Sequence, residues 1–411
     1  MNTDPIVVVG AGHAGVQIAA SLREEGYDGA IALVSAETHL PYQRPPLSKA
    51  FLKGAMDAEG LPLRAAQFYS ENNIDLVFSE SVTDIDRISR RVLLASGRAI
   101  DFSQLVLATG ARQRPLVIPG IDLDGVLVLR DLDDARLLRQ RLAIARRIVV
   151  IGAGFIGLEI ASTASIFGLE VSIVELAARP LGRAVSEAVS QFYLNAHQTF
   201  GARFYLEAGV RAIHGRSGRA VEVELSDGRR LPADVVVVGV GVLPEDRLAA
   251  AAGLECANGI VVSAHLETAD PGISAIGDCA MFPSQNLGFP VRLESVQNAV
   301  DQARCLARRI VGKPRPYTAL PWFWSDQGDL KLQIAGLSHG CDRWTVRGDP
   351  AARAFSAFGF RGPTLVAVES VNRPADHMIA RRIIAGALPL TPAQAGDLAF
   401  DLRKLAKTSE R

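Results

Sequence analysis

At 411 residues the chain is longer than one hydrophobic core readily serves, so two to four domains are expected. Hydrophobic residues at 48% and charged residues at 21% are an ordinary globular balance, which excludes disordered and collagen-like classes. The 44 basic and 44 acidic residues cancel, which argues against a general binder of nucleic acid or membrane surface.

The N-terminus, MNTDPIVVVG, enters a strand pattern almost at once, with no basic leader or cleavage signal, so a cytoplasmic protein is expected. The β-branched run from Ile6 suits a parallel strand covered on both faces. It leads into Gly10, Gly12 and Gly15, a GxGxxG loop that also holds His13 and Ala14. One such glycine allows the tight turn, one the close approach of a pyrophosphate, and one the packing of helix on strand. The helix start supplies amide donors and a favourable dipole for phosphate. The following strand, Gly29 to Ser35, ends on Ser35 where such units usually carry an acid, with Glu37 two residues on. Either Ser35 with backbone groups or Glu37 meets the ribose.

A strand at Leu105 to Ala108 precedes Thr109 and Gly110, and the proline-bearing run ARQRPLVIPG reads as a connector. The opening pattern then repeats as IVVIGAGFIG from Ile148, with Gly152, Gly154, Phe155, Ile156 and Gly157 in the second loop. Two copies, each after a strand, make two dinucleotide sites the natural reading. The strand Val171 to Glu175 ends on a carboxylate about 20 residues after the first glycine, placed to bond ribose hydroxyls and to repel a 2′-phosphate. NADH is therefore expected over NADPH, although a plain surface glutamate is the alternative and Arg179 stands nearby. Strands at Val221 to Leu225 and Val235 to Val240 continue the alternation, with Gly239 inside the second and Gly241 just after it, both of them, like Glu159, candidate NADH contacts. The longest apolar runs fall well short of the ~20 residues of a spanning helix.

GVLPE, 241–245, reads as a return crossing to the first unit. AIGDCA puts Gly277 and Asp278 at a strand end, where the carboxylate either bonds a ribitol hydroxyl or caps a helix. In DQARCLARRIVGK, Arg304 and Arg308 share a helical face, with Arg309 near it and Lys313 beyond, forming either a docking stripe or a solvated face. PRPYTALPWFW then opens a third domain from about Tyr317. The four cysteines, Cys256, Cys279, Cys305 and Cys341, have no CxxC spacing, so no disulfide framework, metal site or iron–sulfur cluster is expected.

PYQRPPLSK (Pro41 to Lys49), LATGAR (Leu107 to Arg112), AIGDCA, ESVQNA (Glu294 to Ala299) and PWFWSDQ (Pro321 to Gln327) add specific signals. With them the chain resembles, over essentially its whole length, the FAD-dependent ferredoxin reductases of bacterial monooxygenase and ring-hydroxylating dioxygenase systems, the putidaredoxin reductase-like family. The resemblance implies an α/β fold: two Rossmann-like dinucleotide-binding domains in a glutathione-reductase-like architecture, plus a smaller α+β C-terminal domain. FAD is assigned to a discontinuous domain, 1–113 and 246–316, NADH to 114–245, and the C-terminal domain to 317–411. Implied FAD contacts, besides the first loop, are Arg44, Lys49, Val82, Ala108, Thr109, Gly110, Arg130, Gly277, Asp278, Val296 and Trp324.

The same resemblance implies that Lys49 pairs with Glu159 of GFIGLE near the flavin, its positive charge stabilising the reduced ring. It further implies that a hydride passes from NADH to FAD and that electrons then go singly to a small two-iron ferredoxin. Its expected acidic surface would meet the stripe at Arg304, Arg308, Arg309 and Lys313. By the same resemblance the ferredoxin is expected to serve a heme-thiolate monooxygenase or a ring-hydroxylating dioxygenase. Disulfide reductases of the same architecture need a cysteine pair, and peroxide- or oxygen-reducing relatives need a cysteine around HLPY, 39–42; neither is present. A rubredoxin reductase, and an NADH-sensing flavoprotein similar to apoptosis-inducing factor, remain as alternatives.

Overall fold

The computed structural model describes residues 4–284 and 287–407. It divides into two units: one of Met1–Gln43, Ala58–Arg112 and Val242–Ala319, the other of Arg44–Asp57, Gln113–Gly241 and Leu320–Arg411.

In the first unit the run Ile6–Val9 is buried along its whole length and pairs in parallel with Ile31–Val34 on one side and Gln104–Leu107 on the other. The five strands lie in the order Ile273–Ala275, Gln104–Leu107, Ile6–Val9, Ile31–Val34, Ile74–Val77. Strand order thus reverses beside Ile6–Val9, the topological switch point at which open α/β sheets bind nucleotides. Helices His13–Glu24 and Val296–Ile310 pack on each other, and a small antiparallel sheet of Val82–Asp86, Arg91–Leu94 and Ala99–Asp101 lies outside the main one.

The second unit repeats the plan. Its parallel sheet runs Arg203–Tyr205, Glu170–Val174, Arg147–Ile151, Val235–Val238, Val126–Leu127. A three-stranded sheet of Val210–Arg216, Arg219–Leu225 and Arg230–Pro232 accompanies it. Every strand read from the sequence is present with ends shifted by a few residues, as edges defined by hydrogen bonding usually are. The C-terminal part is an antiparallel sheet in the order Trp322–Gln327, Leu330–Gly336, Thr364–Val371, Ala354–Arg361, Arg343–Asp349, with helix Pro374–Ala385 and two short helices packed on it.

Two boundaries differ from the sequence reading. The C-terminal sheet shares a core with the second nucleotide fold, because Leu330, Leu332, Phe355 and Val371 join Val150, Leu158 and Val189 in one cluster. Tyr317 belongs to the first unit, where its hydroxyl donates to Asn298 Oδ1 at 3.0 Å and its ring meets Phe282. The second departure is Arg44–Asp57, which lies within 1–113 yet packs in the second unit. Leu52 is fully buried in that unit's core, and Ser48 and Lys49 bond Glu159 there.

Candidate functional site

The two glycine loops have the same geometry. Gly10 and Gly152 both have φ of +105°, a region that L side chains avoid. A Cβ on Gly10 would lie 2.3 Å from the Ala108 carbonyl oxygen, and one on Gly152 2.3 Å from that of Gly239. Gly15 and Gly157 face the carbonyls of Gly10 and Gly152 as closely, so each helix sits directly on its loop. The middle glycines differ, since nothing lies within 4 Å of a Cβ built on Gly12 or Gly154. Helices His13–Glu24 and Phe155–Ile166 also begin without a side-chain cap. Open space before uncapped amides at the positive end of a helix fits a pyrophosphate.

Around the first loop, Ser35 is buried and its Oγ accepts from Glu37 N at 3.2 Å, while Tyr42 Oη donates to a Glu37 carboxylate oxygen at 2.5 Å. Both candidates for the ribose contact therefore stand together. Thr109 Oγ1 donates to the Glu245 carbonyl at 2.5 Å, fixing the turn of Ala108, Thr109 and Gly110 against the returning chain. Gly277, with φ of +78°, stands where a Cβ would be 3.1 Å from that of Ala14, and its N–H donates at 2.7 Å to Gln302 Oε1. Gln302, fully buried on the helix that starts at Val296, thus holds the turn that presents Asp278. Sequence reasoning passed over it, because an amide on the inner face of an amphipathic helix carries no motif. Val82 begins the outer antiparallel strand and packs against the unit's core.

At the second loop Glu175 Oε2 accepts from Ala153 N at 2.7 Å and Oε1 from Ala177 N at 2.8 Å. The carboxylate is braced across the loop with lone pairs remaining for ribose hydroxyls. Arg179 is committed elsewhere, its guanidinium bonding the carbonyls of Gly182, Val185 and Ser186. Ile156 and Leu176 are exposed beside the loop, and Phe155 meets Phe323 with ring centroids 4.6 Å apart. Gly239 is drawn in by a 2.7 Å bond from its N–H to the Ile151 carbonyl, and Gly241, with φ of +97°, turns the chain away.

Lys49 Nζ donates to Glu159 Oε2 at 2.7 Å and to the Pro45 carbonyl at 3.1 Å. Ser48 Oγ donates to the same Glu159 oxygen at 2.5 Å, and Ser325 Oγ to Oε1 at 2.6 Å. Glu159 is almost wholly buried, whereas Lys49 keeps 16% of its side chain exposed. Arg44 Nη1 donates to the Arg130 carbonyl at 2.5 Å. Trp324 stacks at a tilt on Trp322 with centroids 5.5 Å apart, on the strand that carries Ser325.

The basic helix face is already partly paired. Arg308 and Lys313 both reach Glu25, at 2.9 and 3.0 Å, and Arg304 lies 3.7 Å from Asp301. Arg309 departs from the expected stripe: it turns inward to Glu267 and Ser274, because consecutive helical residues point about 100° apart. Among the described residues there is no group of His, Cys, Asp and Glu able to hold a metal, and no helix long and apolar enough to cross a membrane.

The family profile described as pyridine nucleotide-disulphide oxidoreductase matches residues 4–303, and one described as reductase C-terminal matches 322–406. Rhodocoxin reductase of Rhodococcus erythropolis is 49% identical over 97% of this chain and 93% of its own length. The crystal structure of the ferredoxin reductase for the CYP199A2 system from Rhodopseudomonas palustris, 52% identical, matches with a TM-score of 0.96 over 98% of this chain and 100% of that one. The reductase of the covalent putidaredoxin reductase–putidaredoxin complex, 42% identical, also matches at 0.96, over 99% of each chain.

Proposed function

Since the chain belongs to the pyridine nucleotide-disulphide oxidoreductase family, we propose that it is a cytoplasmic NADH-dependent reductase of a small two-iron ferredoxin that serves an oxygenase. FAD is assigned to the glycine loop of the first unit and NADH to that of the second. The observation that carries this reading is the pair of equivalent open loops, the second of them braced by Glu175. FAD, when bound, supplies the conversion of a two-electron hydride into single electrons that no side chain of this protein could perform.

The chain's own residues bind and orient. Uncapped helix amides hold the pyrophosphates. Glu175 accepts the adenosine ribose hydroxyls and disfavours a 2′-phosphate. Gln302 fixes the Gly277 turn so that Asp278 faces ribitol, and the Glu159 carboxylate holds the Lys49 ammonium beside the flavin. The reading uses no thiol: burial pushes the Cys279 thiol up, and HLPY, 39–42, holds no cysteine. The relative whose structure was solved with putidaredoxin supports a ferredoxin as the acceptor.

The purified protein is expected to release one FAD into the supernatant on acid precipitation and to turn over NADH rapidly with both ferricyanide and a two-iron ferredoxin. Flavin retained in the pellet, or FMN in the supernatant, would refute the first-loop assignment. Flavin bleaching by NADH without turnover on either acceptor would favour an NADH-sensing role instead.

A further inference from the structure

Behind the Lys49–Glu159 pair lies a string of polar side chains, all within the second unit, that the reading above does not use. Ser325 Oγ is 2.6 Å from Glu159 Oε1, Gln327 Nε2 is 3.2 Å from Ser325 Oγ, and Gln327 Oε1 is 2.8 Å from His197 Nε2. Ser325, Gln327 and His197 are completely buried. Burying three polar groups in a row is costly unless each serves another.

The direction of every bond follows from its end. An ionised carboxylate only accepts, so the Ser325 hydroxyl donates to Glu159. That hydroxyl then accepts from the Gln327 amide nitrogen, which turns the amide oxygen towards His197. His197 must donate through Nε2, leaving Nδ1 bare, and Nδ1 indeed has no partner in the structure. Burial among Tyr193, Phe200 and Phe204 holds the imidazole down at about 4, hence neutral at working pH. Local geometry explains the alignment: strand Trp322–Gln327 runs along helix Phe155–Ile166, with Phe323 on Phe155 and Ser325 on Glu159. Nearby Tyr193, whose hydroxyl burial pushes far up, feels the charges of Asp326 and Glu159.

We propose that Ser325, Gln327 and His197 are positioning residues for hydride transfer: a one-way string of donors that fixes Glu159 Oε1, leaving Oε2 to hold Lys49 in place. The string is not a proton path, since every proton along it already points towards the carboxylate. The proposal rests on the reading that places the Lys49–Glu159 pair at the flavin.

The test uses the FAD-loaded full chain in stopped flow, separating the limiting rate of flavin bleaching at saturating NADH from the NADH dissociation constant. Ser325→Ala should lower the limiting rate on the order of tenfold, the worth of one hydrogen bond to a charged group, with NADH affinity within about twofold of the parent. Ser325→Thr, which keeps the hydroxyl, should restore most of the rate. Gln327→Met, which frees that hydroxyl to turn away, should fall between. In a Glu159→Gln background Ser325→Ala should add nothing. A parent rate in Ser325→Ala beside a slowed Glu159→Gln, or full additivity of the two, would overturn the positioning role alone. A parent rate in Glu159→Gln would overturn both that role and the placement of the pair at the flavin.

Discussion

Glu175 holds its loop as well as carrying the coenzyme role proposed for it. One carboxylate oxygen meets Ala153 N and the other Ala177 N, so the side chain is fixed before any ribose arrives and loses little freedom on binding. In the proposed role its charge opposes a 2′-phosphate, and at an effective dielectric of about 20 two charges ~4 Å apart repel by about 4 kcal/mol. Arg179, a cation close by in the sequence that would offset this, is bonded to three backbone carbonyls. Glu175→Ala should therefore narrow the NADH preference by on the order of ten- to a hundredfold in kcat/KM, part of it through weaker NADH binding as the loop loses its brace. Parallel kinetics with NADH and NADPH check this. Equal efficiency with both coenzymes in the unaltered protein would refute the role.

Among elements, the most consequential junction inside the second unit is the start of helix Glu187–Thr199. Ser186 caps it, and Ser186 N and Oγ also donate to Glu369 on strand Thr364–Val371, which is fully buried. Burial pushes the Glu369 carboxyl up to about 7 in spite of the Ser186 donors and Arg179. The folded state therefore binds this proton more tightly than the unfolded chain, whose value is 4.5. The stabilisation is complete below that pH and is lost as pH rises through about 7, to the extent of a few kcal/mol. The melting temperature of the holoprotein should fall between pH 6 and 8.5. Glu369→Gln, whose amide oxygen can still accept from Ser186 and which carries no charge, should flatten that fall and melt several degrees higher at pH 8.5. Matching slopes for the two proteins would show that Glu369 does not set the dependence.

Elements also mark how far the sequence can be read. The glycine loops are legible because the first and third glycine of each leave no room for a side chain, and Glu175 because its distance from the loop is set by one helix and one strand. The partners of Glu159 are not legible. WFWSDQ alternates, but alternation alone does not say which face is covered, and here Ser325 and Gln327 point inward while Trp324 and Asp326 do not. His197 reads as one more position on an amphipathic helix. Arg44–Asp57 leaves its unit with no change of composition, since what draws it across is the fit of Leu52 into a core built from distant sequence.

For the whole molecule, zero net charge means that any partner chosen by electrostatics must be chosen by a local field. On helix Val296–Ile310 and just beyond its end, Arg308 and Lys313 share Glu25, and Arg304 is the least committed, exposed over 59% of its side chain and 3.7 Å from Asp301. Exposed pairs of this kind contribute ~0–1 kcal/mol, so carboxylates on an approaching protein can displace Asp301 and Glu25 at little cost. Arg309 is excluded, being paired inward with Glu267. The docking role proposed for this face thus falls chiefly to Arg304, with Arg308 and Lys313 supporting it. Because such charges act mainly on encounter and lose reach as the screening length shortens to about 8 Å at physiological salt, the effect belongs to the second-order rate at low salt. Arg304→Glu should slow reduction of an acidic two-iron ferredoxin several-fold at low ionic strength and flatten its salt dependence. Ferricyanide, which needs no docking face, should be reduced at the parent rate. Both acceptors slowing together would point to damage at the Gly277 turn, held by Gln302 of the same helix. Neither slowing would place the docking surface elsewhere on the protein.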